Sequence, residues 1–270
     1  METRETKRNF YFRNNLGNNE AIEIYIGQSS GKQLQDDLLN AKSEVLIISP
    51  YIDESKLDDL FVLKNRNVNV RLGFSDLNGR QYKTVLRKLI HQNKETDIKK
   101  KEKKEKKKNL YLLLLIAVFS IACVFFSSGI VKLLNKDFTV LSFGFIIFSF
   151  FLSFLSYKLW QIKSKIEKIE IYKYDYSEKL NFKYLRDNYG EKMFIHSKIY
   201  VIDRKIAYMG SLNFTTKGFT SNFETRVRIT QPERISELVD FVHNVLDDNI
   251  NFRKHELYWL GKQVYSEEKY

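Results

Sequence analysis

The sequence predicts an α/β sandwich interrupted by a two-helix membrane hairpin. Short strand-like and helix-like segments alternate on both sides of residues 109–160, the pattern of a layered sheet flanked by helices. Two apolar runs stand between them, "NLYLLLLIAVFSIACVFFSSGIV" (109–131), without charge, and "TVLSFGFIIFSFFLSFLSYKLW" (139–160), with only Lys158. Each reaches the roughly 20 residues that cross a bilayer core of about 30 Å.

The elements follow in order. Residues 1–20 are polar throughout and carry no apolar central region, so they read as an N-terminal segment rather than a signal peptide. Residues 21–91 form the first part of the α/β domain. "AIEIYIG" (21–27) is a strand and "GKQLQDDLLNA" (31–41) a helix; "EVLIISPYI" (44–52) is a strand and "ESKLDDLFVLKNR" (54–66) a helix; "VNVRLGFSD" (68–76) is a third strand. Residues 80–108 read as one helix, and their basic part, 92–108, as a stalk running into the membrane. Such a stalk is up to about 25 Å long.

Both outer flanks of the apolar pair are basic, "KKKEKKEKKK" (99–108) and "KSKIEKIEIYK" (163–173), whereas the connecting loop holds Lys132 and Lys136 against Asp137. Positive flanks stay cytoplasmic. The expected topology is a hairpin tip outside, with both termini and the α/β domain in the cytoplasm. A pair of buried helices in a soluble core is the alternative, but such helices keep a polar face and these do not. Ser142, Ser149, Ser153 and Ser156 fall near one face of the second helix. Small residues there let helices approach closely, within the hairpin or between subunits.

Residues 161–250 form the second part of the domain. "QIKSKIEKI" (161–169) continues the second span, and "EIYKYD" (170–175), "KIYVID" (198–203), "KIAYMG" (205–210) and "ETRVRIT" (224–230) are strands. "PERISELVDFVHNVLDD" (232–248) is an amphipathic helix with Pro232 in its first turn, and 251–270 is a C-terminal tail. The hairpin is thus an insertion within one domain, and no internal repeat appears.

Composition bounds the chemistry. The 270 residues carry a formal net charge of +12, 45 Lys and Arg against 33 Asp and Glu, which suits a polyanion or an anionic membrane surface. A single cysteine, Cys123, excludes an internal disulfide framework or a cysteine-based zinc site. His91, His196, His243 and His255 show no metal-ligand spacing, so no metal and no cofactor are expected.

Residues 194–215 read "FIHSKIYVIDRKIAYMGSLNFT". Two apart on an extended chain, His196 and Lys198 share a face. An imidazole can attack phosphorus, and a lysine beside it can hold phosphate oxygens. His196, Lys198, Asp203, Gly210, Ser211 and Asn213 match the HxKxxxxDxxxxxxGSxN signature at every position, and "SNFET" adds Asn222 and Glu224 in an NxE arrangement. The chain therefore resembles the phospholipase D superfamily.

That resemblance implies a phospholipase D-like αβα sandwich and phosphodiester cleavage through a phosphohistidine on His196. Lys198 and Asn213 would hold phosphate oxygens, and Ser211 would add a hydrogen bond. Glu224 would orient the imidazole, Gly210 would let the backbone approach, and Asp203 would brace the turn after the strand. Similar members use two histidines per site. This chain has one motif, and His243 and His255 read as helix-face or surface residues, so the expectation is a homodimer with a composite site. Members resembling this one act on phospholipid, cardiolipin, DNA or RNA. The long stalk and the lack of an exposed apolar loop, "DNYGEKMF" (187–194) being the faint exception, tilt the expectation toward nucleic acid, ahead of phospholipid or cardiolipin. A non-catalytic membrane scaffold is the third class, and the intact His–Lys–Asp–Glu set argues against it.

Overall fold

The structure is a computed structural model, and it describes residues 10–17, 20–75, 82–136, 138–185, 195–247 and 257–270. The chain divides into two compact units, residues 1–92 with 176–266, and residues 93–175 with 267–270.

The first unit is built on an eight-stranded mixed sheet. Its strands are β1 (Phe10–Gly17), β2 (Glu20–Gln28), β3 (Glu44–Ile48), β4 (Asn69–Phe74), β7 (Asn181–Tyr184), β8 (Ile199–Ile202), β9 (Ile206–Gly210) and β10 (Phe223–Ile229). The strand order is β1-β2-β10-β9-β8-β3-β4-β7. β3, β4 and β7 run parallel, and the remaining neighbours are antiparallel. The parallel β3–β4 pair is joined by α2 (Glu54–Asn65), whose start is capped by the Asp53 carboxylate accepting the Lys56 N–H.

Helices cover both faces. α1 (Lys32–Leu39) buries Leu34 and Leu38 on one face and presents Asp37 to the Tyr208 hydroxyl. α2 lies beside α1, with the Gln35 amide on Asp59 at 3.0 Å. On the other face α7 (Pro232–Asp247) packs Ile235, Val239, Val242 and Leu246 onto Leu46, Ile48, Ile199, Val201 and Ala207. The predicted αβα sandwich is present.

Several predicted boundaries move. The segment read as polar, 1–20, contains strand β1, an edge strand whose Phe10, Tyr11, Phe12 and Arg13 are exposed, so no buried face announced it. The helix expected over 80–108 is broken: α3 (Tyr82–Leu89) gives way to strand β5 (Ile90–Thr96), which pairs with β6 (Tyr172–Glu178). β5 alternates His91, Asn93 and Glu95 with polar neighbours, so no apolar period announced it. The tail contains α8 (Leu257–Val264), whose Leu260 and Val264 are buried, and the Tyr265 hydroxyl donates to the Ile90 carbonyl at 2.9 Å. His255 and the 187–194 stretch lie outside the described residues.

The second unit holds α4 (Ile98–Leu134) and α5 (Val140–Glu167), both long and apolar enough to cross a membrane. They pack along a small-residue seam. Ser142, Ser149 and Ser156 recur every seven residues and are buried, as are Ala122 and Gly129 on α4. The seam serves the hairpin itself; Ser153 is exposed. Each buried hydroxyl is satisfied locally, Ser149 on the Ile146 carbonyl and Ser156 on that of Leu152. Large apolar side chains from Leu110 to Phe154 face outward. α4 begins at Ile98, capped by Asp97, so its charged part reaches Lys108 in about 16 Å rather than 25 Å.

Candidate active site

The site forms where β3 and β4 end and β8 and β10 begin. Residues 195–198 are not yet strand, since β8 starts at Ile199. The segment is held by the Ser75 hydroxyl donating to the Ile195 carbonyl at 2.9 Å. His196 is exposed, while Lys198 is only 5% exposed. The Lys198 ammonium curls back onto His196, 2.8 Å from Nδ1, 3.2 Å from Nε2 and 2.7 Å from the carbonyl. The two residues thus meet through a turn of the lysine side chain rather than through the strand geometry expected of them.

Burial pushes the Lys198 pKa below the ordinary lysine value, and the negative charge of Glu224 opposes that shift. Glu224 is itself buried on β10. Its carboxylate accepts from the Ser211 hydroxyl and from the Asn222 amide at 3.0 Å. The Ser211 hydroxyl also accepts the Thr225 N–H at 2.9 Å, so its one donor and one of its two acceptor sites are engaged on the β10 strand.

Gly210 makes this approach possible. Its φ is +153°, and a Cβ there would stand 2.0 Å from the Thr225 carbonyl oxygen. The Asn213 Oδ1 is buried and finds no protein donor among the described residues. It is the acceptor or, with the amide turned over, the donor that no described residue occupies.

Asp203 sits elsewhere. The four residues of β8 stand between it and Lys198, five steps or about 17 Å at ~3.3 Å per residue. Its carboxylate accepts the N–H groups of Lys42, Ser43 and Glu44 at 2.7–3.1 Å and the Ser43 hydroxyl at 2.9 Å. Partial burial raises its pKa, but the backbone hydrogen bonds from Ser43, Lys42 and Glu44 outweigh this and hold it below the usual value. Asp203 and Arg204 both have positive φ, 53° each, so the carboxylate secures a tight β8–β9 turn at the far end of the strand. Asp203 is structurally separate from the His196 cluster.

Two neighbours were not singled out from sequence. Tyr51 presents a ring edge to His196, with centroids 6.5 Å apart and planes at 84°. Ser49 donates to the Tyr51 carbonyl at 2.8 Å and accepts the Phe214 N–H at 2.9 Å, tying the end of β3 to the Asn213 segment. Their position at the carboxyl end of an apolar strand, "LIISPY", was the available signal. His243 lies apart, on α7, with Nδ1 2.6 Å from the Arg71 guanidinium. Among the described residues no group of three or more His, Cys, Asp or Glu is placed to hold a metal ion.

Residues 155–245, which hold every motif residue, match the family described as "Cardiolipin synthase, PLD-like domain". No curated protein matches the chain. Among solved structures, it is similar to Nuc of Salmonella typhimurium, a phospholipase D family member (12% identity, 87% of this chain, 99% of that one, TM-score 0.44). It is also similar to NucT of Helicobacter pylori (11%, 84%, 95%, TM-score 0.44) and to phosphatidylserine synthase of Haemophilus influenzae (14%, 91%, 42%, TM-score 0.44). The complete His–Lys–Asp and Gly–Ser–x–Asn signature lies inside the matched region, so residues 155–245 carry the similarity to a phospholipase D-like domain.

Proposed function

We propose that the protein is a membrane-anchored phosphodiesterase whose nucleophile is His196 and whose substrate is a phospholipid phosphodiester. The observation that carries the catalytic part is the buried Lys198 ammonium 2.8 Å from an exposed imidazole, with the Glu224 carboxylate behind it. When phosphate enters, Lys198 moves from the ring to an equatorial oxygen, and Asn213 donates to another. The imidazole nitrogen attacks phosphorus, forming the N–P bond as the P–O bond to the leaving alcohol breaks. The proton that oxygen needs comes from His196 of the partner subunit, which then draws a proton from water as that water displaces the imidazole. Glu224 stabilises the imidazolium, and Ser211 and Asn222 hold Glu224 in place. One motif per chain makes a homodimer the economical way to supply two imidazoles.

The lipid assignment rests on charge and surface. Residues 1–92 and 176–266, which hold the site, carry 28 Lys and Arg against 23 Asp and Glu, or +5. The other unit carries 17 against 10, or +7, concentrated beside the apolar helices. The surplus that suggested a polyanion is mostly a membrane flank. The stalk is also shorter than the sequence suggested, and the domain exposes apolar surface. Nucleic acid is the second reading, supported by the remaining +5.

The test is the full chain in liposomes, given headgroup-labelled phospholipid, labelled single-stranded DNA and labelled RNA in parallel with His196→Ala. Release of lipid headgroup, with acid-labile phosphate on His196, is expected. Cleavage of DNA or RNA alone favours the second reading, and wild-type turnover surviving His196→Ala overturns both. Mixing wild type with excess His196→Ala should reduce activity faster than dilution if the site is composite.

A further inference from the structure

We propose that the open face of β1, β2 and β10 docks onto the bilayer surface, supplying the catalytic unit with its own lipid contact besides the hairpin. The inference rests on the phospholipid reading above.

The register of the sheet draws the surface. Directly opposed residues on antiparallel strands share a face. One row runs Phe12–Ile24–Val227–Met209–Ile199–Ile48 across β1, β2, β10, β9, β8 and β3. Its last two members are buried beneath α7. Its first members are not covered: Phe12 is 47% exposed, Met209 38%, and Ile24 and Val227 are partly exposed. The neighbouring row adds Phe10, 54% exposed, opposite Ile26, and Phe223 at the start of β10 is 59% exposed on the same face. The helix layer therefore covers half of this face, and an apolar, aromatic-rich half stays in contact with solvent. Such contiguous apolar patches mark interaction sites.

The occupant is argued from three features. First, β1 exposes both of its faces, because Tyr11, 56% exposed, points away from Phe10 and Phe12. A flat protein interface needs only one face, whereas an edge ribbon seated among lipid headgroups presents amphipathic rings all round. Second, Glu224 alternates with Phe223 and Thr225 on β10 and so points from the opposite face. The site opens at the ends of the strands, beside this patch rather than on it, so a dimer with a composite site would not be assembled on the patch. Third, α4 and α5 are long and apolar enough to span a bilayer, so a bilayer is tethered to the domain and the effective concentration of lipid is high.

The experiment reads the surface without turnover. The full chain carrying Cys123→Ser receives one cysteine at Phe12→Cys, at Met209→Cys or, as a control, at Asn65→Cys on the exposed end of α2. Each is labelled with an environment-sensitive fluorophore and reconstituted in phosphatidylcholine–phosphatidylglycerol liposomes. Expected are a blue shift, loss of quenching by aqueous iodide and quenching by headgroup-nitroxide lipid at positions 12 and 209, and none of these at 65. Iodide quenching equal to the control at both positions overturns the proposal. So does shielding without nitroxide quenching that disappears when protein is diluted in lipid, which would mark a second copy. Shielding that appears only on adding an oligonucleotide overturns it as well. The same readings in His196→Ala separate the docking from the activity, since a protein inactive on lipid can still show the shielding and an active one can lack it.

Discussion

The Ser211 hydroxyl donates to the Glu224 carboxylate while accepting the Thr225 N–H, so one side chain clamps the site's buried acid to its own strand. Removing it leaves the Thr225 N–H without this partner and Glu224 with one donor fewer. Ser211→Ala is expected to lower stability by about 1 kcal/mol and to reduce kcat while KM changes little. Thermal unfolding and steady-state kinetics check the two effects separately; unchanged kcat would mean that Glu224 needs no such clamp.

Gly210 is expected to tolerate no side chain. A Cβ would fall 2.0 Å from the Thr225 carbonyl at a backbone φ of +153°. Gly210→Ala should cost roughly 3 kcal/mol or more through clash and backbone strain together. Denaturant unfolding of the purified variant measures it, and a wild-type midpoint would contradict the geometry.

Asp203 should matter for stability and little for chemistry. Asp203→Ala removes hydrogen bonds to three backbone N–H groups and should cost about 2 kcal/mol. Because the folded pKa lies below the unfolded one, the stabilisation is full above the unfolded carboxylate value and is lost as pH falls through the folded value. The wild type should therefore lose stability relative to Asp203→Asn on acidification below about pH 4. Residual folded Asp203→Asn should keep most of its kcat.

Lys198 gives activity an alkaline limit. Burial lowers its pKa, so the ammonium that binds phosphate deprotonates at lower pH than a free lysine. The charged form is the disfavoured one in the fold, so its burial penalty is present below the folded pKa and relieved as pH rises through it. The falling limb of kcat/KM should lie below the ordinary lysine range. Glu224→Gln removes the charge that opposes the shift and should move that limb lower still. A pH–rate series for both proteins decides this; an upward movement would be inconsistent with the opposing role of Glu224.

The hairpin seam should resist enlargement at Gly129. A Cβ there meets Ile146 Cγ1 at 2.7 Å and the Ser142 carbonyl at 3.2 Å. Gly129→Leu should separate α4 from α5 at a cost of about 2 kcal/mol, whereas the same change at Gly144, with nothing within 4 Å, should be neutral. Cross-linking between cysteines placed at Ala122 and Ser149 on the two helices, in full-length protein, reads the separation.

The sequence by itself determined the features that depend on local order. The apolar helix pair, the alternation of strands and helices and the His196–Lys198–Gly210–Ser211–Asn213 signature are all written in residue spacing, because periodicity and motif chemistry act over a few neighbours. β5 was not legible, since His91, Asn93 and Glu95 carry no apolar period and its strand form comes from pairing with β6, some eighty residues away. The separation of Asp203 from His196 also needed the fold. Seven residues apart in sequence, they lie toward opposite ends of β8, and only the approach of residues 42–44 reveals what the Asp203 carboxylate holds. The uncovered apolar face likewise appears in no single segment. Phe12, Ile24, Val227 and Met209 come together because strands distant in the chain lie side by side, and α7 ends its cover before reaching them. Tertiary pairing, which sums contacts across long sequence separations, decided what local propensity could not.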